Sequence, residues 1–512
     1  NDAFTKAAAD QVEALKDADV VICLAHLGID AESAPYRSTD LYAAVKGIDF
    51  IIDGHSHTVM TKGENGEPIQ STGTAFANIG VIVIDDATKK IESNSLFEIK
   101  EDTAKDATVA AAAQKIIDRI DKEYGAVFAK SEVVLNGAKA PNGNRDSETN
   151  NGDLITDAMV WKILQDKESL TVDADHVVAV TNGGGIRKAI NPGDVTKKNI
   201  NEVLPFGNTV VTIYITGAEL LEALEASTYC TPDAIGGFPQ VAGINFTLST
   251  AVAYDANAET YPASTYYGPK SINRVTINSI NGKEFKADDT YAVITNDFCG
   301  GGGDTYYAFA AATAKFDTGI PLDEVVMEYI TAELKGVIGK QYAAPQGRIL
   351  MNPFADVKAS SWFGKYVIDL YNDGIINGTS ATTYAPNNTL TWAAALKLLL
   401  VSHGDLKAAD ATGADWSKNT IAKAAELGLV AADLDGAKAI SRLEFCQVAA
   451  KLNKLAESKT ESPFTDSTDG YVMALVDAKV ISGMTETTFE PAASLTRAQI
   501  AKILYQLTLI EK

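Results

Sequence analysis

Positive charge is in short supply in this sequence: 44 lysines and arginines face 67 aspartates and glutamates, a net charge of −23 over 512 residues. That balance argues against nucleic acid or an anionic membrane as the main partner, since either would repel the chain. A phosphate compound would need local cations or metal ions. Long apolar runs are absent, so no segment is suited to span a bilayer. No signal-peptide pattern opens the chain, yet it does not start with methionine, and the expectation is a start that has been removed. Cysteine amounts to Cys23, Cys230, Cys299 and Cys446, too scattered for a zinc spacing or a dense disulfide framework, which leaves the compartment open. Histidine is nearly as scarce, at five residues, and two of these fall within three positions.

What is present is ample apolar content, 46 % of residues, enough for the cores of about two to four domains. In the first hundred residues helix-like stretches alternate with short apolar runs. "AADQVEALKDA" leads into "DVVICLAH", a second helix-like stretch into "IDFIIDGHSH", and "NIGVIVIDD" follows. Such runs between helices read as buried strands of an α/β sheet. Next come Val109, Ile116, Ile120 and Tyr124 at helical spacing, a natural boundary. From there to about residue 350 lies a mixed α/β region with glycine-rich turns. The last 160 residues repeat: Tyr366 to Leu400 aligns without gaps on Tyr471 to Tyr505, at an offset of 105. A shorter middle copy runs from "IAKAAELGLV" to "ISRLEFCQVAAKL". Repeats of this length stack as helical units sharing a core.

Both early apolar runs end in histidine. Ligands collect outside the carboxyl ends of strands in open α/β sheets, so His26, His55 and His57 are expected to converge there. Neutral imidazole is the commonest metal ligand, and Asp53 is placed to fix a ring tautomer. Alone, the His-x-His pair fits strand-end hydrogen bonding as well as it fits metal binding; "LAHLG" adds the third imidazole that favours metal. Three imidazoles suit one zinc ion, whereas hydrolytic phosphate chemistry usually takes two ions with carboxylate ligands.

"DVVICLAHLGID" followed by "IDFIIDGHSHT" resembles the second half of the metallophosphoesterase domain of the 5′-nucleotidase/UDP-sugar hydrolase family. The motifs "TNGGGIR", "LPFGNT", "GGFPQVAGI" and "TNDFCGGGGDTYYAF" resemble that family's substrate domain, in the same order. The resemblance implies hydrolysis of nucleoside 5′-monophosphates at two divalent ions, zinc or manganese, with His26 and His55 on one ion and His57 on the other. UDP-sugar hydrolysis and 2′,3′-cyclic phosphodiesterase activity are the alternatives it leaves open. The family's Asp-x-His, bridging aspartate and Asn-His pair are not in this chain. A fragment of a longer enzyme, holding metal weakly and not turning over, is therefore expected.

The resemblance further places the base between Phe206 and Phe298, the ribose hydroxyls on Asp304, the base edge on Asn182, and the phosphate near Arg145 and Arg187. Stacking on an aromatic ring suits any base, and an arginine fork suits phosphate. Core packing for each phenylalanine and surface salt bridges for the arginines are the plainer alternatives. Ser147 stands where the family often carries a second arginine, which loosens the assignment of substrate.

The repeats resemble three tandem S-layer homology domains, which attach secreted proteins to bacterial cell-wall polymers. "ISRLE" and "LTRAQ" also read as capping boxes, Ser441 with Glu444 and Thr496 with Gln499. These put Arg442 and Arg497 at the first helical position, where the helix dipole disfavours a cation. With Gly378 and Gly483, these arginines are the expected contacts to an acidic wall polysaccharide. Trp392 and Ala394 break the motif in the first repeat, and the middle repeat lacks its glycine-rich loop, so one or two working grooves are expected.

The expected architecture is thus α/β. A partial metallophosphoesterase β-sandwich α/β fold occupies 1–104, a linker helix and hinge 105–127, and a mixed α/β nucleotide-binding domain 128–350. An all-α repeat bundle follows at 354–404, 412–456 and 464–512. The function is that of an extracellular, wall-anchored 5′-nucleotidase-type enzyme; the competing reading is a non-catalytic wall-binding protein with a nucleotide-binding module.

Overall fold

A computed structural model describes residues 2–30, 33–252, 261 and 270–510. The chain forms two compact units: residues 1–243, 256–272 and 286–346 in the first, and 244–255, 273–285 and 347–512 in the second.

The first unit opens with a four-stranded sheet. Its strands β1 (Ile22–Leu24), β2 (Phe50–Asp53), β3 (Val59–Met60) and β4 (Ile69–Thr72) are ordered β1-β2-β4-β3. β1, β2 and β4 run parallel, so β1 and β2 point their carboxyl ends, and the histidines that follow them, the same way. The core here is small, built on Leu41, Val45, Ile48, Ile51 and Ile69. Leu24, 83 % exposed, stands on the edge strand β1 with no apolar cover. The helix α1 (Ala107–Tyr124) is capped by Asp106, whose side chain accepts from the Val109 amide. Its helical spacing is as expected, but Val109, Ile116 and Ile120 are exposed. Lys198 meets its Asp121 at 2.7 Å.

The main sheet of this unit has five strands. They are β5 (Val177–Asn182), β6 (Thr209–Thr216), β7 (Pro239–Ala242), β8 (Thr290–Asn296) and β9 (Ala314–Pro321), ordered β7-β5-β8-β6-β9. Every residue of β5 is buried, as expected of an apolar strand covered on both faces. β5 and β8 are parallel, and β6 and β7 run antiparallel to them. The carboxyl ends of β5 and β8 therefore share an edge with the amino ends of β6 and β7.

The second unit holds a three-stranded sheet, 244–249, 275–280 and 349–352, and the repeats. Each repeat contributes a helix that follows its motif loop: α2 (Trp392–His403), α3 (Arg442–Leu452) and α4 (Arg497–Thr508). Their N-caps, Thr391, Ser441 and Thr496, each accept a backbone N–H, and the two expected capping boxes are present. The repeats are not purely α-helical. Three single β-bridges, Thr391 with Ala439, Ser441 with Ser494 and Thr496 with Thr389, join first to second, second to third and third back to first. The repeats close into a ring, with a shared core that includes Leu396, Leu399, Phe445, Ile500 and Leu504.

Candidate functional site

The loops after β1 and β2 bring two of the three histidines together. The His26 and His55 rings meet edge to face, 5.2 Å between centroids. Glycine makes this possible: a Cβ on Gly54 would lie 2.9 Å from His26 Nδ1, and one on Gly28 would lie 3.1 Å from His55 Cδ2. His55 and His57 both occupy left-handed backbone, at φ 58 and 56. Such conformations are costly for a side chain larger than glycine and concentrate at functional sites.

Burial pushes the pKa of both His55 and His57 down. Nearby Asp30 opposes this at His55, while the positive charge of Arg187 reinforces it at His57. Both rings are therefore biased to the neutral form that ligates metal.

Asp53 does not orient a ring. Its Oδ1 accepts the backbone N–H groups of Leu27, Gly28 and Gly54, tying the two histidine loops to each other. Among the described residues no group of three or more His, Cys, Asp or Glu side chains is placed to hold a metal ion. His57 is exposed, and its ring is within electrostatic reach of His26. Three imidazoles in this arrangement do not fit two divalent ions.

At the shared edge of the five-stranded sheet, Asn182 ends β5 and Asn296 ends β8. Asn182 Nδ2 donates to Asp304 Oδ2 at 2.7 Å, and Asn182 Oδ1 accepts from Asn296 Nδ2 at 3.0 Å. Asn182 thus commits both an amide N–H and its side-chain carbonyl to partners within the protein. Asp304 is buried and sits at φ 50. Phe206 precedes β6 and Phe298 follows β8, so both lie at this edge. They are 60 % and 41 % exposed, which rules out core packing for either. Gly303 lies against the Phe298 ring, where a Cβ would come within 2.5 Å.

Arg187 lies over the Phe206 ring, 5.6 Å from its centroid, and Nη1 donates to the Gly184 carbonyl. The charge of Arg145 is felt at both His55 and His57, and its backbone carbonyl accepts from Ile235 next to the "GGF" turn. Three participants were missed from sequence. Asn208 donates to Asp297 at 2.6 Å, joining the two phenylalanine loops; Asn296 holds Asn182; Lys139 stands 3.8 Å from Asp30 beside His55. Asn208, Asn296 and Asp297 lay inside quoted motifs, but nothing local marked them as partners.

In the repeat ring, Arg442 and Arg497 each reach across to the next repeat. Arg442 Nη2 donates to the Ser482 carbonyl at 2.7 Å, and its guanidinium lies 4.7 Å over Phe489. Arg497 donates to the carbonyls of Tyr384 and Asn377 and lies 4.4 Å over the Tyr384 ring. The unfavourable first helical position thus has an internal explanation, since both cations satisfy carbonyls of a neighbouring loop. Gly378 and Gly483 sit in equivalent tight turns, where a Cβ would come within 2.6 Å of Phe354 and 2.5 Å of Phe464. Asp356 and Asp466 anchor those turns, each accepting two successive backbone N–H groups.

Fold and site together define a mixed α/β body with a ring of helical repeats. Residues 127–311 match the family described as 5′-nucleotidase, C-terminal domain, and residues 353–395 and 464–501 match the S-layer homology domain. The body thus contains a 5′-nucleotidase C-terminal domain, and the first and third repeats are S-layer homology domains.

The chain is similar to the trifunctional nucleotide phosphoesterase protein YfkN of Bacillus subtilis (strain 168), 33 % identical over 370 residues, covering 68 % of this chain and 23 % of that protein. It is 26 % identical to the 5′-nucleotidase of Homo sapiens over 372 residues, covering 66 % and 60 %. It therefore spans less than two thirds of either relative. The crystal structure of a 5′-nucleotidase precursor from Thermus thermophilus shares the fold, with TM-score 0.50 and 24 % identity over 68 % of this chain and 67 % of that one.

Proposed function

We propose that this chain is the nucleotide-holding and wall-attaching portion of an extracellular 5′-nucleotidase-type phosphohydrolase. The observation that carries the reading is the single sheet edge at which two exposed phenylalanines, a buried aspartate and two arginines gather. In this reading Phe206 and Phe298 sandwich the base, Asp304 accepts the ribose hydroxyls with Asn182 holding it in place, and Arg187 and Arg145 neutralise phosphate. His57 stands within electrostatic reach of Arg187 and Arg145, which supports a phosphate end directed toward the histidine loops. Two divalent ions would supply the hydrolytic chemistry in the complete enzyme, with donors beyond His26, His55 and His57. The repeats would hold the protein to an acidic wall polysaccharide.

A second reading is a surface protein that binds nucleotide without turnover; the commitment of Asp53, the carboxylate beside the histidines, to three backbone N–H groups favours it. Calorimetry with adenosine and AMP separates the possibilities when combined with a phosphate-release assay in manganese or zinc. Binding that drops on Phe298→Ala supports the pocket, and phosphate release assigns hydrolysis to this chain. Unchanged affinity in that variant removes the base-stacking assignment.

A further inference from the structure

One groove of the repeat ring carries more than its motif residues. It is about 560 Å³, open mouth included, and lies where the second and third repeats meet. Its floor is Arg442, only 6 % exposed, whose Nε is buried with no hydrogen-bond partner among the described residues. Ser482 and Gly483 form one wall, and Gln499 and Lys502 of α4 form the other. Two cations therefore line a groove in a chain that is otherwise strongly acidic; the charge of Glu490 also reaches Arg442.

The remaining element comes from the first repeat. Trp362 lies at the rim, 59 % exposed, although an indole of its size is normally well covered. Phe363 meets it edge to face at 5.4 Å between centroids, which braces the ring in its exposed position. Between Asp356 and Tyr366 the first repeat is five residues longer than the third is between Asp466 and Tyr471, and Trp362 lies in that longer stretch.

Building on the wall-attachment reading, we propose that Trp362 is the sugar-selecting platform of this groove. It takes the apolar C–H face of one pyranose ring of an acidic glycan, while the acid of that residue or its neighbour reaches Arg442 and Lys502. A flat aromatic face discriminates ring stereochemistry, since only sugars with an uninterrupted C–H face can lie on it. The cations select for the acid, so each element reads a different property of the same polymer. The first repeat, whose own motif is broken at Trp392 and Ala394, is given a role here as donor of this ring.

The test is co-sedimentation of the full chain with bacterial sacculi that retain their acidic polysaccharide, compared with sacculi stripped of it. Wild-type protein is expected to sediment only with the former. Trp362→Ala is expected to weaken binding at least tenfold with an unchanged circular dichroism spectrum, as its exposed position allows, and Trp362→Phe to stay within about threefold of wild type. Equal sedimentation of wild type and Trp362→Ala overturns the platform and leaves wall attachment standing. Failure of the wild type to sediment with either preparation overturns the wall-attachment reading, and the platform with it. Binding that Trp362→Phe loses as fully as Trp362→Ala would show that the indole edge, rather than the aromatic face, makes the contact, and also overturns the proposal.

Discussion

Asn208 Nδ2 donates to Asp297 Oδ1 at 2.6 Å, across 89 positions of sequence. The bond joins the loop before one strand of the five-stranded sheet to the turn after another, and each carries one of the exposed phenylalanines. The spacing of the two rings is therefore expected to depend on it. A hydrogen bond to a charged acceptor is worth about 1.5–3 kcal/mol. Asp297→Ala is expected to cut adenosine affinity roughly tenfold or more by calorimetry, with little change at Asp304. A binding isotherm matching wild type would mean the loops hold their positions without it.

Gly303→Ala addresses the same pocket from beneath. The added Cβ lands within 2.5 Å of the Phe298 ring, which is exposed enough to swing away. The expected result is loss of nucleoside binding with a melting temperature close to wild type. A large drop in melting temperature would show instead that the ring is part of the core.

Chelation is expected to leave the melting temperature of the chain unchanged, and added zinc or manganese to bind far more weakly than a structural zinc site, because the three imidazoles do not form one cluster. A marked shift in melting temperature with EDTA would contradict this.

His176 gives a pH dependence with a definite sign. Its Nδ1 lies 2.6 Å from Asp175 and its Nε2 lies 3.4 Å from Asp289. The Asp175 hydrogen bond chiefly, helped by Asp289 and opposed by burial, holds its pKa above the ordinary 6.5. The folded pKa exceeds the unfolded one. The contribution is therefore fully present below pH 6.5 and lost as pH rises through the folded value. Melting temperature measured across that window should fall more steeply for wild type than for His176→Gln; parallel profiles would discount the pair.

Arg442→Ala removes both a hydrogen bond to Ser482 and the stack on Phe489. Those are worth about 1.5–3 and 0.5–2 kcal/mol respectively, so the repeat unit should lose about 2–5 kcal/mol in denaturant melts, with Arg442→Lys in between. A neutral result would make the arginine a ligand contact only.

Much of this was legible in the sequence. The convergence of His26 and His55 follows from two parallel strands each followed by histidine, whereas Phe206, Phe298 and Asp304 were singled out by the resemblance of their motifs to a family, and their roles belong to the proposal. The role of Asp53 was not legible, because its partners are backbone N–H groups that leave no trace in residue identity. Arg442 and Arg497 were visible as anomalies at a helix start. Their resolution lay in loops about 40 and 120 residues away in either direction, out of reach of any local pattern. The bridges that qualify an all-α bundle are single residue pairs, too short for an alternating pattern to register.

Those bridges have a consequence for how the repeats can evolve and fail. A linear stack has free ends, and a unit can be added or trimmed there at the cost of one interface. Here the third repeat returns to the first, so there is no end to trim. Losing any one repeat would open two seams at once and strip its neighbours of the arginine or the loop they share. The ring closes on three copies, so each repeat serves its two neighbours as a keystone.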